Sequence, residues 1–411
     1  MEKKYFSTLI ILFLSIVTSA IIIHAADENQ DPTIKTTATT QNAFIRFLKS
    51  FDYTSRLRFQ FDDNIFLTED REDSDVKEIF TQILEYNHSS GDNFLRWSYT
   101  GDYDYYNEES LGVLSHSTNL LYSYRPVDKF SFGLGSNFYW LSDSRIASTL
   151  GDRLLALGYT QFSPYVEMKY EINPRTSVQT NIRYQKVDAR DGNNDDYIDN
   201  KRVIATEQLN YSLTEDNNLI SFFGYQYDDI SFPQIFEKSA TSNRPFVGLT
   251  RKFPGVVSLT YGVGFEQIYM DDNMDDDNVD QYLGLETIFS IYTKFKMSYS
   301  HNYKHPSLRR EYTQYASNLY KMSLDHTINP KTSILWAYSY ERQGFRSADA
   351  LVGQLSESRK TDIQTIGTTL NRKLNSVLTL GLSYDYTKRD TEFANEGYTD
   401  NKVSIQLTAK Y

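Results

Sequence analysis

Apolar and polar residues alternate along most of the chain. In the last nine residues, Val403, Ile405, Leu407, Ala409 and Tyr411 share one face, and Ser404, Gln406, Thr408 and Lys410 share the other. This follows because strand side chains repeat every second residue. The first run places Tyr53, Ser55, Leu57, Phe59 and Phe61 opposite Thr54, Arg56, Arg58 and Gln60. Another sets Leu95, Trp97, Tyr99 and Tyr103 against Arg96, Ser98, Thr100 and Asp102. The pattern predicts strands near 53–61, 79–86, 95–103, 114–124, 130–141, 156–170, 176–188, 202–212 and 219–229. It continues near 241–251, 256–269, 280–292, 295–304, 315–327, 332–342, 361–372, 377–387 and 400–411, about 18 strands in all.

The connections alternate in kind. Short turns rich in Pro, Gly, Asn and Asp fall at 89–93, 125–129, 172–175, 215–218, 253–255, 328–331 and 374–376, with a bare Thr293-Lys294 among them. Longer loops cover 62–75, 142–155, 189–201, 230–240, 270–279, 305–314, 343–360 and 388–399. Short turns on one rim and long loops on the other predict an antiparallel up-and-down barrel. It has an even strand number and both ends on the short-turn, periplasmic side. Ile172-Asn173-Pro174-Arg175-Thr176-Ser177-Val178 and Ile328-Asn329-Pro330-Lys331-Thr332-Ser333-Ile334 are nearly the same hairpin. The echo is too short to define a repeat protein.

Composition decides which kind of barrel. There are 33 Tyr, 25 Phe, 9 Pro and no Cys, and mean hydropathy is -0.53. A soluble sandwich or propeller would turn its apolar faces inward, with little aromatic bias. Here Trp140, Tyr170, Tyr184, Tyr211, Tyr261, Trp336, Tyr340 and Tyr386 end the apolar faces, where an interfacial belt of a membrane barrel would lie. The expected fold class is therefore all-β: a single transmembrane barrel over 51–411. Its polar face is expected to line a lumen with Arg56, Arg58, Arg96, Asp102, Arg183, Glu266, Glu286, Lys296, Lys321, Asp325 and Asp385. These rows would either set a transverse field across an aqueous channel or close it by mutual salt bridges. Tyr139 and Tyr165 are also expected inward, filling space or stacking on sugar rings.

Residues 1–25 read as a secretory signal: Lys3 and Lys4, an apolar run from Leu9 to Ile23, and a small-residue site at Ile23-His24-Ala25. The alternative is an uncleaved inner-membrane anchor. Residues 26–50 are expected to be a periplasmic segment, polar at first, with a short helix over 43–48. The net charge of -12 disfavours a nucleic-acid partner. Without Cys there is no disulfide, thiolate metal site or lipidated N-terminal cysteine. The terminal strand ending in Tyr411 resembles that of outer-membrane barrels, which the assembly machinery recognises.

The first hairpin reads Arg56-Leu57-Arg58-Phe59-Gln60-Phe61-Asp62-Asp63-Asn64-Ile65-Phe66-Leu67-Thr68, followed by Ser74-Asp75-Val76. This stretch resembles the β-barrel porin type 2 family. The resemblance implies a large outer-membrane barrel, and some members are similar to barrels linked with exopolysaccharide export and exosortase systems. Read by itself, Asp63-Asn64 is a turn with Asx hydrogen bonding.

Three stretches, 62–75, 188–199 and 271–280, are strongly acidic. Carboxylates at this density attract hard cations, but the calcium-loop template fails. After Asp191, position six is Asp196 and position twelve Arg202; after Asp271, they are Asp276 and Tyr282. The acids are expected in solvated loops, bridged by divalent ions to lipopolysaccharide or biasing the mouth toward cations. The six His, at 24, 88, 116, 301, 305 and 326, sit in no catalytic motif, so no enzyme activity and no cofactor is expected. The reading is a porin-like channel in the bacterial outer membrane, contacting lipid and lipopolysaccharide and passing small polar solutes, ions or glycans. Its alternatives are an exopolysaccharide or envelope export component and a closed structural or adhesive barrel.

Overall fold

The computed structural model describes residues 51–64, 74–107, 111–142, 159–189, 199–231, 239–253, 257–270, 275–304, 312–347, 359–392 and 397–411. The expected signal over 1–25, the segment over 26–50 with its helix, the acidic stretches 65–73, 190–198 and 271–274, and most of the loops 142–155 and 343–360 lie outside these residues.

Eighteen strands follow one another. They are β1 (Phe51–Asp62), β2 (Asp75–Ser90), β3 (Asn93–Tyr106), β4 (Leu111–Val127), β5 (Phe130–Leu141) and β6 (Tyr159–Asn173). Next come β7 (Thr176–Ala189), β8 (Asn200–Ser212), β9 (Leu219–Ser231), β10 (Ala240–Phe253), β11 (Val257–Met270) and β12 (Asp275–Ser290). The last six are β13 (Thr293–Lys304), β14 (Tyr312–Asn329), β15 (Thr332–Ser347), β16 (Arg359–Lys373), β17 (Leu378–Thr391) and β18 (Tyr398–Lys410). Each pairs antiparallel with the next. β18 pairs with β1 from Thr54↔Lys410 to Asp62↔Lys402, which closes the barrel and leaves no free edge.

Register carries the alternation around the whole barrel. Phe59 lies opposite Ile405, and Leu57 opposite Leu407 and Phe80, so apolar faces meet strand after strand. Phe223 is 59% exposed, Val247 56% and Val403 53%, while Ser317 and Thr361 are fully buried. A soluble protein buries the opposite set. An apolar outer surface around a polar interior suits a barrel surrounded by lipid, where closure satisfies every backbone polar group. The aromatic residues expected at the belt, from Trp140 to Tyr386, all fall on this outer face by register. So does His116, which stacks on Trp140 (5.1 Å) and shares a 2.7 Å hydrogen bond with the Tyr99 hydroxyl.

Several strands extend beyond the sequence expectation at the long-loop rim. β12 begins at Asp275 instead of 280, and β15 runs to Ser347 instead of 342. Backbone pairing with neighbours continues there after the apolar face has ended, so hydropathy does not mark the end. The expected loop 270–279 thus shrinks to 271–274. The β3–β4 connection on the same rim spans only 107–110.

The short turns rest on local chemistry. Gly91 takes φ +56° in the two-residue β2–β3 turn, a conformation open to glycine at no steric cost. In the two echoed hairpins, Asn173 Oδ1 accepts from the Arg175 amide and Asn329 Oδ1 from the Lys331 amide, both at 2.9 Å. In the β8–β9 turn Asn217 adopts φ 55°, and the Thr214 hydroxyl accepts from the amides of Asn218 and Leu219 at 3.1 Å. The Thr214 hydroxyl, then the Asn218 amide, hold the exposed Asp216 carboxyl below its ordinary value. A depressed carboxylate stabilises the fold above its unfolded pKa and loses that contribution as pH falls through the folded value. Asp216→Ala should therefore lower the urea midpoint slightly at neutral pH, with the difference from wild type closing under strong acid.

Candidate functional site

The lumen is the large concave feature of the described residues. Its wall carries the polar positions of all strands. Register places Arg56 and Arg58 of β1, Arg96 and Asp102 of β3, Arg183 of β7, Glu266 of β11, Glu286 of β12, Lys296 of β13, Lys321 and Asp325 of β14 and Asp385 of β17 on this one continuous face. The structure brings four of them together. Glu286, Lys296, Lys321 and Asp385 surround a cavity of about 670 Å³ against β11–β17. Gly284, Ser298, Ser323, Ala337, Ser339 and Gly367 make its wall, and their short side chains leave the space. The Lys296 ammonium lies 3.1 Å from Glu286. Lys321 and Asp385 have no ion pair among the described residues.

The other expected residues are spread around the wall. The Arg183 guanidinium sits over the Tyr165 ring at 5.7 Å, and that ring in turn lies across Gly135, where a Cβ would overlap it. Asp102 accepts a 2.5 Å hydrogen bond from the Thr81 hydroxyl. Arg96 pairs with Glu85 at 3.3 Å. Glu266 is 8% exposed and lies beside the Arg244–Asp280 pair. Arg56, Arg58 and Asp325 face the interior away from the cavity.

The loop-side end of the lumen holds a second set of charges that strand parity alone did not single out. Lys77 binds Asp104 at 2.5 Å and lies over the Tyr106 ring at 4.8 Å. Arg202 grips Asp228 through two hydrogen bonds, one of them 2.8 Å from Nε. Arg244 donates to Asp280 and to Gln226, each at 2.8 Å. Lys402 lies 2.6 Å from Asp400 and 3.4 Å from Asp62. Asp62, Asp63 and Asp280, expected in solvated loops, are instead bound at the rim of the wall, Asp63 to the Asn401 amide and side chain at 2.5 and 2.7 Å; Asp188, expected likewise, pairs with Lys186 at 2.7 Å on the outer face. The strands run past the belt and draw these carboxylates next to cations of neighbouring strands. Asp62, Asp63 and Asp400 offer oxygens within 4.8 Å of one another, but the Lys402 ammonium already serves as the cation there.

Each of these ion pairs joins residues of the same strand, of adjacent strands or of strands two apart. They lie along the wall, and none of them crosses the lumen.

No family model matches the chain, and no curated protein matches it. Solved structures do. The ferric enterobactin receptor PfeA of Pseudomonas aeruginosa, in a single-site mutant form, superposes with a TM-score of 0.51 at 9% identity, over 88% of this chain and 80% of that one. A double-mutant form of the same receptor gives the same values. Pseudomonas aeruginosa OpdQ aligns at 13% identity and TM-score 0.46, over 88% and 98% of the two chains. At such identity the likeness to the receptor is one of fold. Together with the closed sheet, the apolar exterior and the polar interior, it makes this chain an eighteen-stranded β-barrel of the bacterial outer membrane.

Proposed function

We propose that the barrel is a porin-like channel that passes small polar solutes or ions. The observation that carries this reading is the direction of the ion pairs. A lumen closed by salt bridges needs pairs across its width, and these run along its wall. The cavity beside β11–β17, floored by glycine and serine and faced by Lys321 and Asp385, supplies the aqueous path. In the same reading residues 1–25 direct export, residues 26–50 lie in the periplasm, and β18 with the Tyr411 that follows it is the assembly signal. The likeness to the β-barrel porin type 2 family rests on the Arg56-to-Thr68 and Ser74-to-Val76 stretches and on the strand pattern of the rest.

The test is single-channel recording of refolded residues 26–411 in a planar bilayer under a salt gradient. Stable open steps are expected. Lys321→Glu should shift the reversal potential toward cation preference, and Asp385→Lys toward anion preference, because fixed charge at a cavity wall sets the local ion concentration. A folded, heat-modifiable but silent barrel would overturn the channel and leave the export or structural reading in its place.

A further inference from the structure

The lumen is polar over most of its wall, with a single Tyr165 ring on Gly135 in one sector and a larger group of aromatic rings and glycines on β9–β12. Phe222-Phe223-Gly224 on β9, Phe246-Val247-Gly248 on β10 and Tyr282-Leu283-Gly284 on β12 each place an aromatic two residues before a glycine on the inward face. Antiparallel register interleaves them. In one row across the sheet Phe222, Gly248, Gly262 and Tyr282 are successive neighbours; in the next row they are Gly224, Phe246, Gly264 and Asp280.

The glycines let the rings lie down. A Cβ on Gly248 would overlap the Phe222 ring, one on Gly224 would overlap the Phe246 ring, and one on Gly262 would stand 3.3 Å from Phe222 Cζ. Phe222 and Phe246 have ring centroids 6.2 Å apart. Each ring rests across the neighbouring strand, and the two ring planes are tilted by 57° to one another. Tyr282 continues the strip: it is 45% exposed and lines the cavity described above. Space-filling alone would not require bare backbone under each ring. Larger side chains on β10 and β11 would fill the same volume with the rings upright.

The geometry points to a carbohydrate-binding strip made by Phe222, Phe246 and Tyr282. The apolar C–H face of a pyranose ring matches a flat aromatic face, and its hydroxyls need polar partners alongside. Those partners border the strip at its cavity end: the hydroxyls of Ser258 and Thr260 and the Glu286–Lys296 pair. A purely apolar solute would leave this polar margin unused, and a simple ion would leave the rings unused. The inference names the solute class of the proposed channel and rests on the lumen being open to solutes.

The test combines calorimetry and conductance on refolded residues 26–411, with maltohexaose, cellohexaose and chitohexaose as probes. Titration in detergent reads binding without requiring current. At least one oligosaccharide should give a saturable heat and interrupt single-channel current. Phe222→Ala and Phe246→Ala should each weaken that binding about tenfold, the scale of one lost stacked ring. Gly248→Ala keeps every aromatic residue but lifts the Phe222 ring, and should weaken binding as well. Tyr165→Ala, on another sector of the wall, should leave it unchanged. Heat-modifiable migration checks that each variant is folded. Conductance with no sugar heat overturns the strip and leaves the channel. Sugar heat without conductance overturns the channel and keeps the strip. Absence of both overturns both, and equal weakening by Tyr165→Ala overturns the assignment to these three rings.

Discussion

Lys402→Met should lower the stability of the folded barrel by about 2–4 kcal/mol, somewhat less than breaking a fully buried ion pair, because the Lys402 side chain is itself 32% exposed while both of its partners are buried. Lys402 lies between Asp400, 2% exposed, and Asp62, 4% exposed. Removing the ammonium leaves two carboxylates out of water and close together, with no cation between them. The site also sits on the seam where the last strand meets the first, so the repulsion acts on barrel closure itself. Methionine keeps most of the side-chain volume, and the loss is therefore electrostatic. The triple variant Lys402→Met, Asp400→Asn, Asp62→Asn should recover most of the loss, because it removes the buried charges together. Urea titration in detergent, followed by the fluorescence of Trp97, Trp140 and Trp336, reads the midpoint. A single variant as stable as wild type would mean that water reaches these carboxylates.

The second large effect is expected at Asp63 and Asn64, on the same rim. Taken alone this pair reads as a local turn, and the Asn64 amide does donate to Asp62 Oδ1 at 3.2 Å. The structure adds two longer reaches. Asn64 Nδ2 donates to the Thr399 carbonyl at 3.0 Å, and the Asp63 carboxylate accepts from both the backbone and the side chain of Asn401. These bonds cross from β1 to β18. Hydrogen bonds to a charged group contribute about 1.5–3 kcal/mol each. Asp63→Ala combined with Asn64→Ala should cost about 3–5 kcal/mol, less than a simple sum because the three bonds share one rim. A purely local turn would cost only a few tenths of that. The heat-modifiable transition should move to lower temperature and the urea midpoint should fall. At the opposite rim the seam is closed by Tyr53 and Tyr411, which exchange backbone hydrogen bonds and stack at 6.1 Å.

The strand number, most turn positions and the side of the sheet that each residue takes were legible along the chain; the turn expected at Thr293-Lys294 falls instead at Ile291-Tyr292, which carries no turn-forming residue. Each is a local property. Period two decides the face, and Asn, Pro, Gly and Asp decide the turns. The echoed Ile-Asn-Pro hairpins show how far this goes: the same residues build the same Asn-capped turn with the same one-residue irregularity before it. Lys402 was also within reach of parity, since it lies one step before Val403 in the terminal alternation.

What tertiary structure alone decided is which residues meet. Strand ends at the loop rim follow the neighbour's pairing rather than hydropathy, so β12 starts among aspartates that look like loop. Asp63 and Asn401 are neighbours only because an eighteen-stranded sheet closes on itself. The aromatic-x-glycine triplets were visible in the sequence, but their meaning depends on cross-strand register, which sets Phe222 over Gly248 and Phe246 over Gly224. Periodicity along one strand specifies its faces and carries no information about its offset from the next strand. That offset is a collective property of the closed barrel, and it determined the ion pairs, the cavity and the aromatic strip.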